Sequence, residues 1–213
     1  MSCTERLGSE VAELIRNLPA SDEPFPVDSA LLEYLRSSTR TLAAAFPGQF
    51  HDNGFYKSTV WQSRAGEETL RIHFWPSSAE TGAESNIHGH AWDFQSVVLA
   101  GSLCQTIFER ERYGQHVAEF AYKSGGQSIL RFRGKAELRV ASEVQIKEGN
   151  SYFLSHTSLH RIERISSTGT ITVVLTSNRD KDANVAVFKI KDKRQPSNSD
   201  DVANIREQLI ELL

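Results

Sequence analysis

The sequence predicts a mainly β protein: a jelly-roll barrel that holds a metal, with helices in front of it and a short helix behind. Three observations predict it. Hydrophobic spacing changes from a helical repeat to alternation near Tyr56. From there to about residue 190, short strand-like runs follow one another at close, regular intervals, separated by Gly-containing turns. His88 and His90 stand near the front of this run and His160 near its far end, so a barrel closing on itself would bring them together.

Residues 1–50 are expected to be a helical cover. Val11, Leu14, Ile15 and Leu18 recur on one face of an amphipathic helix that Pro19 stops. After a loop over 21–26, Asp28 is placed to cap a second helix running to about Ala45, with Leu31, Leu32, Leu35, Leu42 and Ala45 as its packing face. About 50 residues make a poor core by themselves, so these helices are read as a lid on the barrel and not a separate domain. The barrel is assigned to 56–190 and a polar tail with a terminal helix to 191–213, giving one domain over 1–213.

Within the barrel, strands are expected at 56–63 and 68–75 around the turn Ala65-Gly66-Glu67. Arg71, His73 and Trp75 share one face of the second strand, and Leu70, Ile72 and Phe74 the other. A loop over 76–82 leads into the histidine strand, and a strand over 94–103 turns near Gly101. Runs at 104–111, 116–123 and 127–132 read as hairpin strands, punctuated by Tyr113-Gly114 and Ser124-Gly125-Gly126. A strand at 136–146 and the turn Glu148-Gly149-Asn150 lead to His160. Strands at 159–165, 170–176 and 184–190 complete the barrel. Residues 191–200 read as a flexible tail. Ile205, Leu209 and Leu212 mark one side of the last helix.

Composition narrows the function classes. With 213 residues, 39% of them hydrophobic, the chain can bury one sizeable core. A net charge of −3 gives no electrostatic reason to expect nucleic acid or an acidic membrane as partner. No apolar run approaches the roughly 20 residues of a spanning helix, and no signal-peptide pattern stands at the start. Cys3 and Cys104 are the two cysteines, too few for a disulfide framework, so a cytoplasmic protein is expected. A homodimer through sheet edges or the N-terminal segment is the expected assembly, if there is one.

His88 and His90, two apart, would leave the same face of a strand and offer two nitrogens to one ion. His160 is the candidate third ligand. Three neutral imidazoles leave a divalent metal its full charge and open positions; Fe(II), Mn(II), Ni(II), Co(II) and Zn(II) all accept such a set. Iron could take substrate and O₂ together. Zinc would act as a Lewis acid or generate bound hydroxide.

The histidine stretch resembles the first motif of the cupin superfamily: a Gly, five residues, His-x-His, then a Glu. Gly82, His88 and His90 match, and Gln95 stands at the Glu position. The second cupin motif is matched by Gly149 and His160, with Ser155 and Thr157 in place of its Pro and Gly and Arg164 in place of its trailing Asn. Three histidines without the Glu resemble the cysteine dioxygenase-like branch, the thiol dioxygenases. That resemblance implies Fe(II), O₂ as co-substrate, and oxidation of a small carboxylate- or amine-bearing molecule. The Ser-x-His-x-Tyr arrangement of that branch is here Thr172-Val173-Val174-Leu175-Thr176-Ser177, with neither His nor Tyr, which implies a substrate other than cysteine.

Neighbouring residues complete the candidate site. Arg71 either faces into the barrel, to hold a substrate carboxylate, or lies in solvent. Asp93 either orients a ligand imidazole, acts as a base, or ends a strand in solvent. Gln95 either ligates weakly or only hydrogen-bonds. His156 is a proton shuttle or a surface histidine. Trp92 walls the pocket or belongs to the core. Tyr152 could offer its phenol. His51 and His116 have no metal-like context. Three functions fit: an iron oxygenase, a zinc or other non-redox metalloenzyme (lyase, isomerase or condensing), and a small-molecule-binding barrel without turnover.

Overall fold

The computed structural model describes residues 2–21, 23–51, 54–76, 86–123, 130–177, 184–189 and 199–213. Gly82 with its loop, the Ser124-Gly125-Gly126 turn and most of the polar tail therefore lie outside the described residues. Helix α1 (Cys3–Arg16) opens on a capping box: the Ser2 hydroxyl accepts from the Glu5 amide at 3.1 Å while the Glu5 carboxylate accepts from the Ser2 amide at 2.6 Å. Its buried face is Gly8, Val11, Ala12 and Ile15. A short strand, β1 (Phe25–Pro26), precedes helix α2 (Ser29–Ala45), whose N-cap is Asp28 as expected. Leu35, Ser38, Thr39, Leu42 and Ala43 form its buried stripe. Ala45 is exposed instead, as the last residue of the helix.

Strands β2 (Gly48–His51), β3 (Phe55–Gln62), β4 (Thr69–Trp75), β5 (Asn86–His88) and β6 (Asp93–Ala100) follow. Then come β7 (Ser102–Lys123), β8 (Leu130–Lys147), β9 (Asn150–Leu154), β10 (Leu159–Ile165), β11 (Thr170–Ser177) and β12 (Asn184–Lys189), before helix α3 (Ser199–Leu212). Among the described residues one sheet has seven strands in the order β1-β9-β6-β11-β4-β3-β2, and the other five in the order β10-β5-β12-β7-β8, with β10 also paired to β7. Every pairing is antiparallel and the sequence order jumps between neighbours, giving a jelly-roll barrel of two facing sheets.

Alternation fixes which side chains go where. Tyr56, Leu70, Ile72, Phe74, Val97, Leu99, Ile171, Val173 and Leu175 face out from the large sheet. They pack beneath Val11, Ile15, Leu35, Leu42 and Leu209 of the three helices, so the helical segments are a cover on one sheet. Residues of opposite parity, among them Phe55, Trp75, Phe94, Val98, Tyr152 and Val174, fill the space between the sheets. Burying each such side chain contributes roughly 1.5–3 kcal/mol. Arg16 clamps Glu68 through two bonds of 3.0 and 2.8 Å, and Arg36 donates to the Leu99 carbonyl at 2.8 Å, tying helices to strands.

Two expectations need correction. Tyr113-Gly114 is not a hairpin turn, because the β7–β8 ladder runs past it with a bulge between Arg110 and Gln115. Tyr113 takes a φ of +74°, and a Cβ on Gly114 would sit 2.5 Å from the Leu138 carbonyl oxygen, so the backbone bulges without reversing. For the same reason the described part of the run expected at 127–132, from Leu130, is one strand with 136–146; residues 127–129 lie outside the described residues. The brief strands β1 and β2 were also not expected, since their lengths of 2 and 4 residues are too short for alternation to register.

Candidate metal centre

The histidines are delivered by two different local devices. His88 ends β5 and lies directly across from His160 of β10, so the two share a face of the small sheet. His90 is not on that strand. After His88 the chain leaves the ladder, with the Gly89 amide donating to the Ala186 carbonyl at 3.0 Å, and the His90 ring arrives from the connection to β6. The expectation that His88 and His90 leave one face of a single strand is therefore corrected: His88 shares its face with His160, while His90 reaches the same point through a break in the strand.

The three rings converge. Centroid separations are 4.9 Å for His88–His90, 4.7 Å for His88–His160 and 5.0 Å for His90–His160. One nitrogen from each lies within 4.8 Å of the other two, a metal-binding cluster. The Nε2 atoms of His90 and His160 stand 2.9 Å apart. Two nitrogens roughly 2.05 Å from one ion are about 2.9 Å apart at right angles and about 3.3 Å apart in a tetrahedron. His88 Nδ1 is 3.1 Å from the Asn86 carbonyl, which can only accept, so Nδ1 carries the proton and Nε2 keeps its lone pair. Burial, then the electrostatic influence of His88, His160, Arg71 and His73, pushes the His90 pKa well below its usual value; burial and then His88 do the same to His160. Both are neutral at pH 7, as a ligand must be.

These rings form one wall of a cavity of about 480 Å³ between the sheets. Arg71, His73 and Trp75 line it from β4, so that face of the strand looks inward. The Arg71 guanidinium lies 4.8 Å over the Trp92 ring, which is itself 5.6 Å from His90. Trp92 is thus a pocket wall. Phe94 meets His90 edge-on at 5.1 Å, and the buried Tyr152 lines the cavity beside Phe94.

Other candidates lie elsewhere. Asp93 Oδ1 accepts from the His156 amide at 2.7 Å and from its Nδ1 at 2.8 Å, holding the turn that precedes His160. Neither residue is among the described residues lining the cavity. In that turn, hydroxyl pairing between Ser155 and Thr157 at 3.1 Å occupies the place of a Pro and a Gly. Gln95 leaves the face of β6 opposite Phe94 and donates to the Pro19 carbonyl at 2.9 Å, anchoring the segment after α1. His116 lies 3.4 Å from Glu137 on the β7–β8 ribbon. His51, set aside on sequence, does line the cavity and stacks on Phe55 at 4.8 Å. Lys57 lines it too. Its signal was available: Phe55 and Lys57 alternate against Tyr56, Ser58 and Val60.

Fold and site together define a two-sheet jelly-roll barrel with a three-histidine metal-binding centre. No protein-family model and no curated protein matches the sequence. Solved structures similar to it include the DMSP lyase DddQ from Ruegeria pomeroyi DSS-3, at 13% identity over 85% of this chain and 94% of that one, with a TM-score of 0.45. An RmlC-like cupin from Shewanella frigidimarina NCIMB 400 is 13% identical over 65% of this chain and 89% of that one, TM-score 0.37. Hydroxypropylphosphonic acid epoxidase from S. wedmorenis is 11% identical over 64% and 56%, TM-score 0.38. Likeness at this level stops at general architecture; the barrel rests on its strand order and the centre on its own distances. Among the described residues no helix is long and apolar enough to cross a membrane.

Proposed function

We propose that the protein is a cupin-type mononuclear metalloenzyme, an Fe(II)-dependent oxygenase acting on a small carboxylate-bearing molecule. The observation that carries this reading is the convergence of three imidazoles, two of them held neutral, on a cavity between the sheets whose wall also carries Arg71. His88, His90 and His160 would hold the ion. The 2.9 Å contact between His90 and His160 is short enough for both nitrogens to meet one ion, and an all-imidazole donor set accepts Fe(II). A metal there would supply Lewis acidity and, if it is iron, the means to activate O₂.

The chain's own residues then have separable tasks. Arg71, steadied by Trp92, offers a planar fork to a substrate carboxylate. Phe94, Trp92 and Val174 give the cavity an apolar lining. Elemental analysis of protein purified without a metal-affinity step, followed by oxygen uptake with added Fe(II) and a panel of small carboxylic acids, tests the proposal. Fe(II)-dependent uptake is expected, and Arg71→Met should raise KM by roughly 10- to 100-fold with the metal retained. Turnover equal under nitrogen and air would replace oxygenase by non-redox chemistry.

A further inference from the structure

The wall facing the histidines carries chemistry that the metal does not use. Resting on the metal-centre reading above, we propose that this wall is the second half of the site, and that the two halves together select a small molecule with two anionic heads. One head goes to the metal and the other to Lys57, Arg71, His73 and Trp75. His88 and His160 project from the small sheet, whereas these four residues project from β3 and β4 of the large one. Lys57 and His73 are directly opposed in the β3–β4 register, so they form one patch.

Two polar atoms of that patch await a ligand. His73 Nε2 and Trp75 Nε1 are buried and have no hydrogen-bond partner. The indole N–H can only donate, so it requires an acceptor. Leaving it buried and unmet costs about as much as a lost hydrogen bond, which a ligand oxygen would restore. The two rings meet edge to face at 5.8 Å, and Phe55 packs against both at 4.7 and 5.0 Å, so they are fixed before any ligand arrives.

Charge gives the sign of the ligand. The described lining contains Lys57 and Arg71 but no Asp or Glu, and a bound ion would add two more positive charges. Among the described lining residues a cationic molecule meets no carboxylate, whereas an anion meets Lys57 and Arg71 on one wall and would meet the ion on the other. Spacing gives its length. Facing sheets stand roughly 10 Å apart, most of it filled by side chains, so the heads are separated by only a few bonds. A dicarboxylate and a carboxy-phosphonate share this chemistry.

The test is calorimetric titration of succinate, 3-phosphonopropionate, acetate and succinamide. Each is titrated into protein loaded with Zn(II), used as a redox-silent ion, and into chelator-stripped protein. Wild type, Lys57→Met and Trp75→Phe are compared, with far-ultraviolet dichroism and melting as folding checks. Wild type should bind at least one dianion about tenfold or more tightly than acetate or the diamide. Each variant should lose about tenfold toward that dianion, loaded or stripped, while acetate, held at the metal, should lose almost nothing in loaded protein. The better dianion identifies the second head. Dianion affinity unchanged in both variants, or no tighter than acetate, overturns the proposal while leaving the metal centre untouched. Equal dianion affinity in loaded and stripped wild type overturns the bridging of the two walls and counts against the metal-centre reading, because the wall's own share is measured separately in stripped protein.

Discussion

Replacing His160 by Ala separates what this residue does for metal from what it does for the fold. Four-ligand zinc sites bind with roughly 10–16 kcal/mol, so one ligand is worth about 3 kcal/mol, a loss of roughly 100- to 1,000-fold in affinity. The effect on the metal-free fold is smaller because two terms oppose. The ring is 3% exposed and packs against His88, His90 and Phe94, so its removal leaves a cavity costing about 2–3 kcal/mol. Its Nδ1, however, is buried with no partner, and removing that atom returns about 1–3 kcal/mol. Net destabilisation of stripped protein is therefore expected below about 2 kcal/mol. Chelator competition measures the first quantity and urea melts with and without metal the second. Wild type should melt higher with metal than without it, and the variant should melt alike in both. Retention of stoichiometric metal by His160→Ala through the same dialysis would remove His160 from the ligand set; an unfolded stripped variant would refute the balance of packing terms.

Three further predictions follow from single residues. Burial, then Arg71, Lys57 and His51, holds the His73 pKa well below the ordinary value near 6.5. The unfolded chain therefore binds one more proton at this site below about pH 6.5, and stripped protein loses up to about 1.4 kcal/mol per pH unit there, with no loss above pH 7.5. His73→Gln should flatten the slope of stability against pH by one proton, read from urea melts between pH 5 and 8; an unaltered slope rejects this. Gln95→Glu should not add a ligand, because the side chain points to Pro19; metal affinity should hold within twofold while a carboxylate set against a carbonyl costs about 1–3 kcal/mol. A clear gain in metal affinity would show that the side chain swings inward. Gly101 has a φ of +76°, and a Cβ there would stand 2.2 Å from the Gly169 carbonyl oxygen. Gly101→Ala should cost at least about 2 kcal/mol, and a loss under about 0.5 kcal/mol would contradict that contact.

Much of this barrel was legible because strand parity is a local property. Phe55 and Lys57 against Tyr56 and Ser58, or Arg71 and His73 against Ile72 and Phe74, sort into two faces from the order of residues alone. Capping is equally local, so Asp28 marked its helix to the residue. Chemistry of the donor set was also legible, since three histidines in this spacing offer three neutral nitrogens wherever they fold. Which face looks inward is not local. Arg71 pointed either to solvent or to the cavity until helices α1, α2 and α3 covered Ile72 and Phe74.

The same distinction explains the site. Tyr113 and Gly114 carry a turn signature, but the ladder to β8 continues on both sides and overrides it. Gln95 stands at the motif's Glu position, where the sequence leaves weak ligation and hydrogen bonding both open, and the arrival of Pro19 on the outer face gives its amide a partner. The His-x-His spacing implied one strand face, whereas the amide of Gly89 bonds to Ala186 and brings His90 in from a connection. Sequence by itself determined most of the strand-forming runs, their two-faced pattern and the three imidazoles. Tertiary structure decided the opposition of His88 to His160, the side on which Gln95 lies and the facing of Lys57, His73 and Trp75 toward the metal centre. Each of these depends on which distant strand or segment pairs with which, and such pairing is set by the closure of the whole barrel, not by neighbours in the chain.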